Sequence, residues 1–332
     1  MKSFFALLFS LFFLMANGQM RQKDITVQKV LKLMGTRFEI TVVAPNEEIG
    51  YINIDEAVSE IQRIEKIISS WDESSETSLI NKNAGIKPVK VSPELFGLIE
   101  RCIRISALTD GAFDITYASM DQIWKFDGSM KAMPNESDIK KSIAKIGYQK
   151  IILDAEKSTV YLPEPGMKIG FGAIGKGYAA DRAKKLLVSK GVKGGIINAS
   201  GDLTAWGTKV TGEKWLVGIT NPLNKERVFG WLPIVESAVA TSGNYEKYIT
   251  LNDKKYSHII DPRTGYPTSG ISSVSIFAKQ AEVCDALATA VFILGRDVGL
   301  HLINQINGVE AIIVDAENKI HKSSGIMFNT NP

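Results

Sequence analysis

The chain has 332 residues, enough for one large or two ordinary domains, so it buries a sizeable core without disulfide or metal staples. Its 39 basic and 36 acidic side chains leave a formal charge of +3, too weak a balance for nucleic acid to be the main partner. Only Cys102 and Cys284 occur, too few for a zinc cluster and too far apart for a redox dipeptide motif, so both read as packed thiols.

Lys2 is followed by Phe4 to Met15, apolar except for Ser10, and then by Ala16-Asn17-Gly18 with small residues at the −3 and −1 places. This predicts a secretory signal over residues 1–18, because a membrane span needs about 20 apolar residues. Residues 19–332 are then expected to be a single exported domain, periplasmic or associated with the membrane, working without a cytosolic ATP pool.

From Ile25 to Val43 the chain alternates, with Phe38, Ile40 and Val42 opposite Arg37, Glu39 and Thr41, which predicts two strands meeting at Met34-Gly35-Thr36. Ile54, Ala57, Ile61, Ile64 and Ile68 recur at helical spacing and stop at Ser69-Ser70-Trp71-Asp72. Ser92-Pro93 reads as an N-cap and first-turn proline, opening a helix with Leu95, Leu98, Ile99, Cys102 and Ile105 inward and its exit at Gly111. Short strands are predicted at Ile151 to Leu153, Thr159 to Leu162, Gly194 to Ala199, Trp215 to Thr220 and Ile234 to Thr241. Helices are predicted at Lys176 to Lys190, Ala281 to Leu294 and Asp297 to Asn307. Strands and helices do not alternate regularly, and tight turns such as Asn252-Asp253 join strands. The expected class is therefore α+β, with mixed, largely antiparallel sheets and packed helices, in one unit or two lobes.

Four segments can carry chemistry. Gly170-Phe-Gly-Ala-Ile-Gly-Lys-Gly177 sits between a strand and a helix, where glycines let backbone N–H groups approach a phosphate. It nearly spells a Walker A loop, but Gly177 stands where Ser or Thr would hold magnesium. It also nearly spells a dinucleotide fingerprint, yet no acidic residue closes the following strand until Asp202. A packing turn fits it as well. Asp285 and Thr289 are four apart on an apolar helix and share a face, a hard-oxygen pair suited to Mg²⁺; alone, the acid reads as a cap or first-turn charge, but in so hydrophobic an element it needs a partner, and a cation is one. His258, one of three histidines, lies near Asp261 and Arg263 in a strand entering a proline-glycine turn. It reads as an acid/base candidate or as a strand histidine bonded to backbone. Trp71, Phe113 with Asp114, Asn198 with Asp202, and Thr241 to Tyr245 offer aromatics and edge-bonding groups for a flat ring, or structural roles.

Met34-Gly35-Thr36, Gly111 to Thr116, Gly172 to Tyr178, Asn198 to Asp202, Ala240 to Gly243, and His258 to Gly265 with Asp285 and Thr289, in this order, resemble the ApbE family of FAD:protein FMN transferases. The resemblance spans about Met34 to Gly295. It implies an exported, Mg²⁺-dependent α+β enzyme. Such an enzyme cleaves FAD, joins FMN to a Thr or Ser of a partner protein, and releases AMP. Carried over, it makes Asp285 and Thr289 side-chain metal ligands, with the backbone carbonyl of Ala173 as a third. Met34, Trp71, Ala112, Phe113, Asp114, Gly170, Lys176 and Ile259 match FAD-contacting positions, and His258, with Asp285, matches residues needed for turnover. Gly170 departs from the Asp found in many relatives, and the position of Lys176 varies in charge among them. The implied acceptor is a membrane-associated electron-transfer subunit. An FAD pyrophosphatase, a non-catalytic flavin-binding protein and, last, a nicotinamide oxidoreductase are the competing readings.

Overall fold

The structure, a computed structural model, describes residues 23–221, 224–244, 248–251 and 254–326. The expected signal over residues 1–18, Tyr245 and the Asn252-Asp253 turn lie outside the described residues. In chain order the elements begin with β1 (Ile25–Leu33), β2 (Thr36–Ala44), α1 (Glu47–Ile68), α2 (Glu76–Lys82), β3 (Val89–Lys90), α3 (Pro93–Leu108) and α4 (Glu136–Ser142). There follow β4 (Ile152–Asp154), β5 (Thr159–Tyr161), α5 (Gly175–Ser189), β6 (Gly195–Ala199), β7 (Asp202–Trp206), β8 (Trp215–Asn221) and β9 (Asn224–Ile234). The last are β10 (Ser237–Gly243), β11 (Tyr248–Leu251), β12 (Lys254–Ser257), β13 (Ile271–Ala278), α6 (Ala281–Leu294), α7 (Arg296–Ile303), β14 (Glu310–Asp315) and β15 (Ile320–Lys322).

An eight-stranded sheet in the order β1-β2-β6-β7-β10-β13-β14-β15 organises the molecule, and every pairing in it is antiparallel. The fold is therefore α+β, as expected. A doubly wound nicotinamide-binding sheet, which needs parallel strands and crossover helices, is not what this sheet is. Side-chain alternation divides the faces. Phe38, Ile40 and Val42 of β2 are fully buried in the main core, which also takes in residues of α1, α3 and α5, while Val43 belongs to a separate cluster with Leu203, Trp215, Val217 and Ile234. The β8–β9 hairpin thus covers the opposite face of the sheet. A second core joins Ala238, Ala240, Val274 and Ile276 to α6 and α7.

Local chemistry explains the main helices. In α1, Asn46 accepts the Ile49 N–H, and Ile54, Ala57, Ile61, Ile64 and Ile68 are the buried stripe that the spacing predicts. In α3, Ser92 accepts the Leu95 N–H and Pro93 fills the first turn. The Met34-Gly35 turn between β1 and β2 holds both residues at positive φ, 49° and 74°, as a two-residue hairpin requires. Methionine is uncommon there, and the Glu65 carboxylate accepts the Met34 N–H at 3.3 Å.

Three expectations change. The strand expected over Ile234 to Thr241 is the end of β9 and most of β10, parted at Val235-Glu236, where Glu236 takes φ 47°. The helix expected to Asn307 stops at Ile303. The strands β13 and β14 add a central and a near-edge position that the sequence reading did not propose. Cys102 and Cys284 are free and fully buried, as expected of packed thiols.

Candidate active site

The β1–β2 turn, the loops after α1 and α3, the glycine segment before α5, the stretch after β12 and one face of α6 converge on a single cleft of about 2120 Å³. Met34, Trp71, Ala112, Phe113, Asp114, Gly170, Ala173, Lys176, His258, Ile259, Asp285 and Thr289 all line it, so the structure brings these residues to one place, whereas Asp261 and Arg263 stand outside the lining. A drug-sized ligand occupies roughly 300–1,000 Å³, so this cleft has room for a dinucleotide and part of a second molecule.

The glycine segment works mainly through close approach. A Cβ on Gly177 would lie 2.2 Å from the Ala281 carbonyl oxygen, so only glycine lets the start of α5 meet the start of α6 backbone to backbone. A Cβ on Gly175 would strike Ile68, whereas Gly172 faces open space. The packing reading therefore holds for Gly175 and Gly177. Gly172 is the position where a ligand can approach the main chain.

That helix contact sets the electrostatics. Ile174, at the N-cap of α5, offers no capping side chain, and Asp285 from α6 supplies the acceptor: its Oδ2 takes the Gly177 N–H at 3.2 Å. Asp285 is 5% exposed. Burial, and after it the Asp202 carboxylate, push its acid up to about 7, against the Lys176 ammonium and the N–H groups of Gly177 and Lys176. Asp202, itself buried at the start of β7, pairs with Lys176. Its acid is also raised by burial and held back by that lysine. Two buried acids thus share one ammonium, and ionising both leaves an excess negative charge that a cation would neutralise.

The donors present fit Mg²⁺. Among the described residues no three His, Cys, Asp or Glu side chains gather into a metal-binding group, so a thiolate- or imidazole-rich centre is not built here. What the site offers is one carboxylate, the Thr289 hydroxyl on the same face one turn on, and the main chain at Ala173. Few protein oxygens with space for water and phosphate is the pattern of a magnesium site. The Thr289 hydroxyl lies 3.3 Å from that of Ser242 on β10, which fixes its rotamer.

The remaining candidates divide into fixed wall and open rim. Phe113 is 2% exposed and belongs to the main core, so its ring is anchored rather than waiting for a ligand. Asp114 caps a 3₁₀ turn at Ile115–Ser119: Oδ1 accepts the Thr116 N–H and hydroxyl, and Oδ2 accepts the Tyr148 N–H. Burial nonetheless raises its acid. Trp71, 89% exposed at the rim, is the aromatic that stands open. His258 meets Phe126 edge-on, ring centres 6.5 Å apart. Asp261 is committed to Arg263 through two hydrogen bonds of 2.8 and 2.9 Å, so that pair closes the Asp261-to-Gly265 turn. Ile259 is pinned by its carbonyl, which accepts from both the N–H and the hydroxyl of Thr268.

The chain that carries these residues is similar to known proteins. The ApbE family profile matches residues 34–313, most of the chain. The chain belongs to the ApbE family. A protein of Klebsiella pneumoniae named FAD:protein FMN transferase is 32% identical over 274 residues, covering 82% of this chain and 85% of that one. A protein of the same name from Treponema pallidum is 29% identical over 289 residues, with 82% and 80% covered. The crystal structure of the ApbE protein from Thermotoga maritima superposes with a TM-score of 0.81 at 30% identity, covering 90% of this chain and 97% of that one. The apo form of Pseudomonas stutzeri flavinyl transferase ApbE gives 0.79 at 26% identity, with 91% and 95% covered.

Sequence reasoning missed several relationships in and around this candidate site. It did not pair Lys176 with Asp202, place Ser242 against Thr289, or see that Asn81 clasps the Ile169 backbone by two hydrogen bonds of 2.8 and 3.0 Å. Nor did it single out Asp181, an acid among the buried residues Tyr178, Ala179, Ala180 and Ala183 of α5. An acid on an apolar helical face was the available signal for it.

Proposed function

We propose that this chain transfers FMN from FAD to a Thr or Ser hydroxyl of a target protein and releases AMP, with Mg²⁺ held by Asp285, Thr289 and the Ala173 carbonyl. The observation that carries the reading is the buried, net-negative Asp285–Lys176–Asp202 cluster beside Thr289 and the glycine segment, in a cleft large enough for FAD and an acceptor loop. The names of the relatives support the flavin donor and the protein acceptor.

In this reading Gly172 admits a phosphate to the main chain and Lys176 adds positive charge beside it. Trp71 covers a planar ring at the rim while Phe113 and Asp114 form the rigid wall. Bound Mg²⁺ supplies charge stabilisation at the diphosphate. The acceptor oxygen bonds to the FMN phosphorus, the bond from that phosphorus to the AMP oxygen breaks, and AMP leaves with that oxygen. His258, half-buried on the cleft wall, orients the hydroxyl or takes its proton. FAD carries its own activated diphosphate, so an exported enzyme needs no ATP.

We place the enzyme outside the cytoplasm, behind residues 1–18, with a membrane-associated electron-transfer subunit as acceptor. Among the described residues no helix is long and apolar enough to cross a membrane. Intact-mass spectrometry of a candidate acceptor incubated with the chain, FAD and Mg²⁺ tests the function. A gain of one FMN with AMP release is expected. Free FMN and AMP with no gain would make the chain a pyrophosphatase, and bound flavin without AMP would make it a binding protein.

A further inference from the structure

The helix that carries Asp285 and Thr289 begins without a cap of its own. Gln280, the N-cap of α6, has extended φ and ψ of −122° and 131° and makes no side-chain capping bond. The first N–H groups of a helix need acceptors from elsewhere when they are buried. Asp181 of α5 provides one: its Oδ2 accepts the Glu282 N–H at 2.9 Å, and the neighbouring Ala281 N–H favours the ionised form of this carboxylate. Asp285 returns the arrangement by accepting the Gly177 N–H of α5. The two helices therefore cap each other, in register with the close approach of Gly177 to Ala281.

A second tie acts on the same turn. Arg101 of α3 donates to both carboxylate oxygens of Glu282, at 2.7 and 3.0 Å, and lies 5.5 Å over the Tyr178 ring of α5. Glu282 is one turn before Asp285, so the capped turn sets both the rotation of α6 and its shift along its axis. We propose that Asp181 is a positioning residue for the cation site, capping α6 from α5 so that Asp285 and Thr289 meet one ion together. The inference rests on the magnesium reading above.

Mg²⁺ alone, titrated calorimetrically into the full chain, is the probe, with hydrogen exchange at Ala281 and Glu282 as the second readout. Asp181→Ala is expected to weaken Mg²⁺ binding about tenfold, the usual scale for groups that orient a metal ligand, and to speed exchange at both amides. Asp181→Asn keeps an oxygen for the Glu282 N–H, and its affinity is expected to stay within about threefold of wild type. Adding Gln280→Asp to Asp181→Ala moves the cap onto the helix's own N-cap and is expected to restore binding. A role in stability alone would lower the melting temperature of Asp181→Ala and leave Mg²⁺ affinity unmoved, which overturns the proposal. Asp181→Asn losing affinity as far as Asp181→Ala overturns it too. Wild-type chain that binds no Mg²⁺ sinks the metal reading as a whole, whereas wild-type affinity in Asp181→Ala sinks only this role. Should Asp181→Ala not fold, unprotected Ala281 and Glu282 amides in the wild type still overturn the proposal, and protected ones with Asp181→Asn binding normally support it.

Discussion

Lys176 and Asp202 form an ion pair at the edge of the buried Asp285 carboxylate, so a single ammonium answers two acids. Removing one member of a buried pair strands the other. Lys176→Met is expected to destabilise the metal-free chain by about 3 kcal/mol, the lower end of that range because the lysine is a third exposed. Lys176→Met combined with Asp202→Asn should recover most of the loss, and urea unfolding of the double-mutant cycle reads the coupling.

Two glycines of one segment should answer differently to the same methyl group. Gly177→Ala drives Cβ into the Ala281 carbonyl and is expected to cost more than about 2 kcal/mol, because backbone cannot yield as a side-chain tip can. Gly172→Ala meets nothing within 4 Å and should fold and melt like wild type while raising KM for FAD. Circular-dichroism melts with FAD kinetics separate the two.

The proposed metal ligands make a graded prediction. Asp285→Ala removes the one carboxylate among the three proposed ligands and should abolish transfer and Mg²⁺ dependence together, whereas Thr289→Ala, losing a neutral oxygen, should reduce transfer by about 10- to 100-fold. The rate of FMN mass gain on an acceptor, followed against Mg²⁺ concentration, checks both.

Much of this site was legible in the sequence because its residues sit at punctuation points. Gly111, Gly170 to Gly177 and the Asp261-to-Gly265 turn mark element ends, and the Asp285–Thr289 pair declares itself by its apolar surroundings. The stripe of α1 and the two faces of β2 were legible for the same reason: each buries one face with one period. The strand β13 was not. It is central, with neighbours on both sides, and places Ser273 and Ser275 at 5% exposure among apolar residues, so hydroxyls interrupt the pattern that would announce it. Ser275 is tolerated there because it bonds to Thr241 at 2.8 Å, a cross-strand pairing no local window contains. Asp181, and the pairing of Asp202 with Lys176, escaped on the same ground, since each acid is explained by a partner on another element.

For His258 the expectation is kinetic. The ring is half-buried with an edge-on aromatic neighbour, so His258→Ala should melt close to wild type yet transfer FMN about 10²- to 10⁴-fold more slowly, the range for loss of a general base. Single-turnover mass spectrometry at saturating FAD measures it. Transfer at the wild-type rate would remove His258 from the chemistry.

Asp181 ties stability to pH. Burial raises its acid from 3.8 to about 6, with Glu282 adding to the rise while the Glu282 and Ala281 N–H groups and Lys184 oppose it. The folded chain holds this proton more tightly than the unfolded one. Its contribution is thus complete below pH 3.8 and is lost as pH climbs through about 6. Asp181→Asn cannot ionise, so its stability relative to wild type should rise across that window by at most about 3 kcal/mol, readable in urea melts from pH 4 to 8.

Cys102 in α3 and Cys284 beside Asp285 are sealed in the two main cores, and burial pushes both thiols well above the range in which thiolate forms. The native chain is therefore silent toward alkylating reagents and toward disulfide exchange with its neighbours. Each sulfur becomes a tag of opening: a molecule that takes up label at Cys284 is one in which α6 has parted from the sheet.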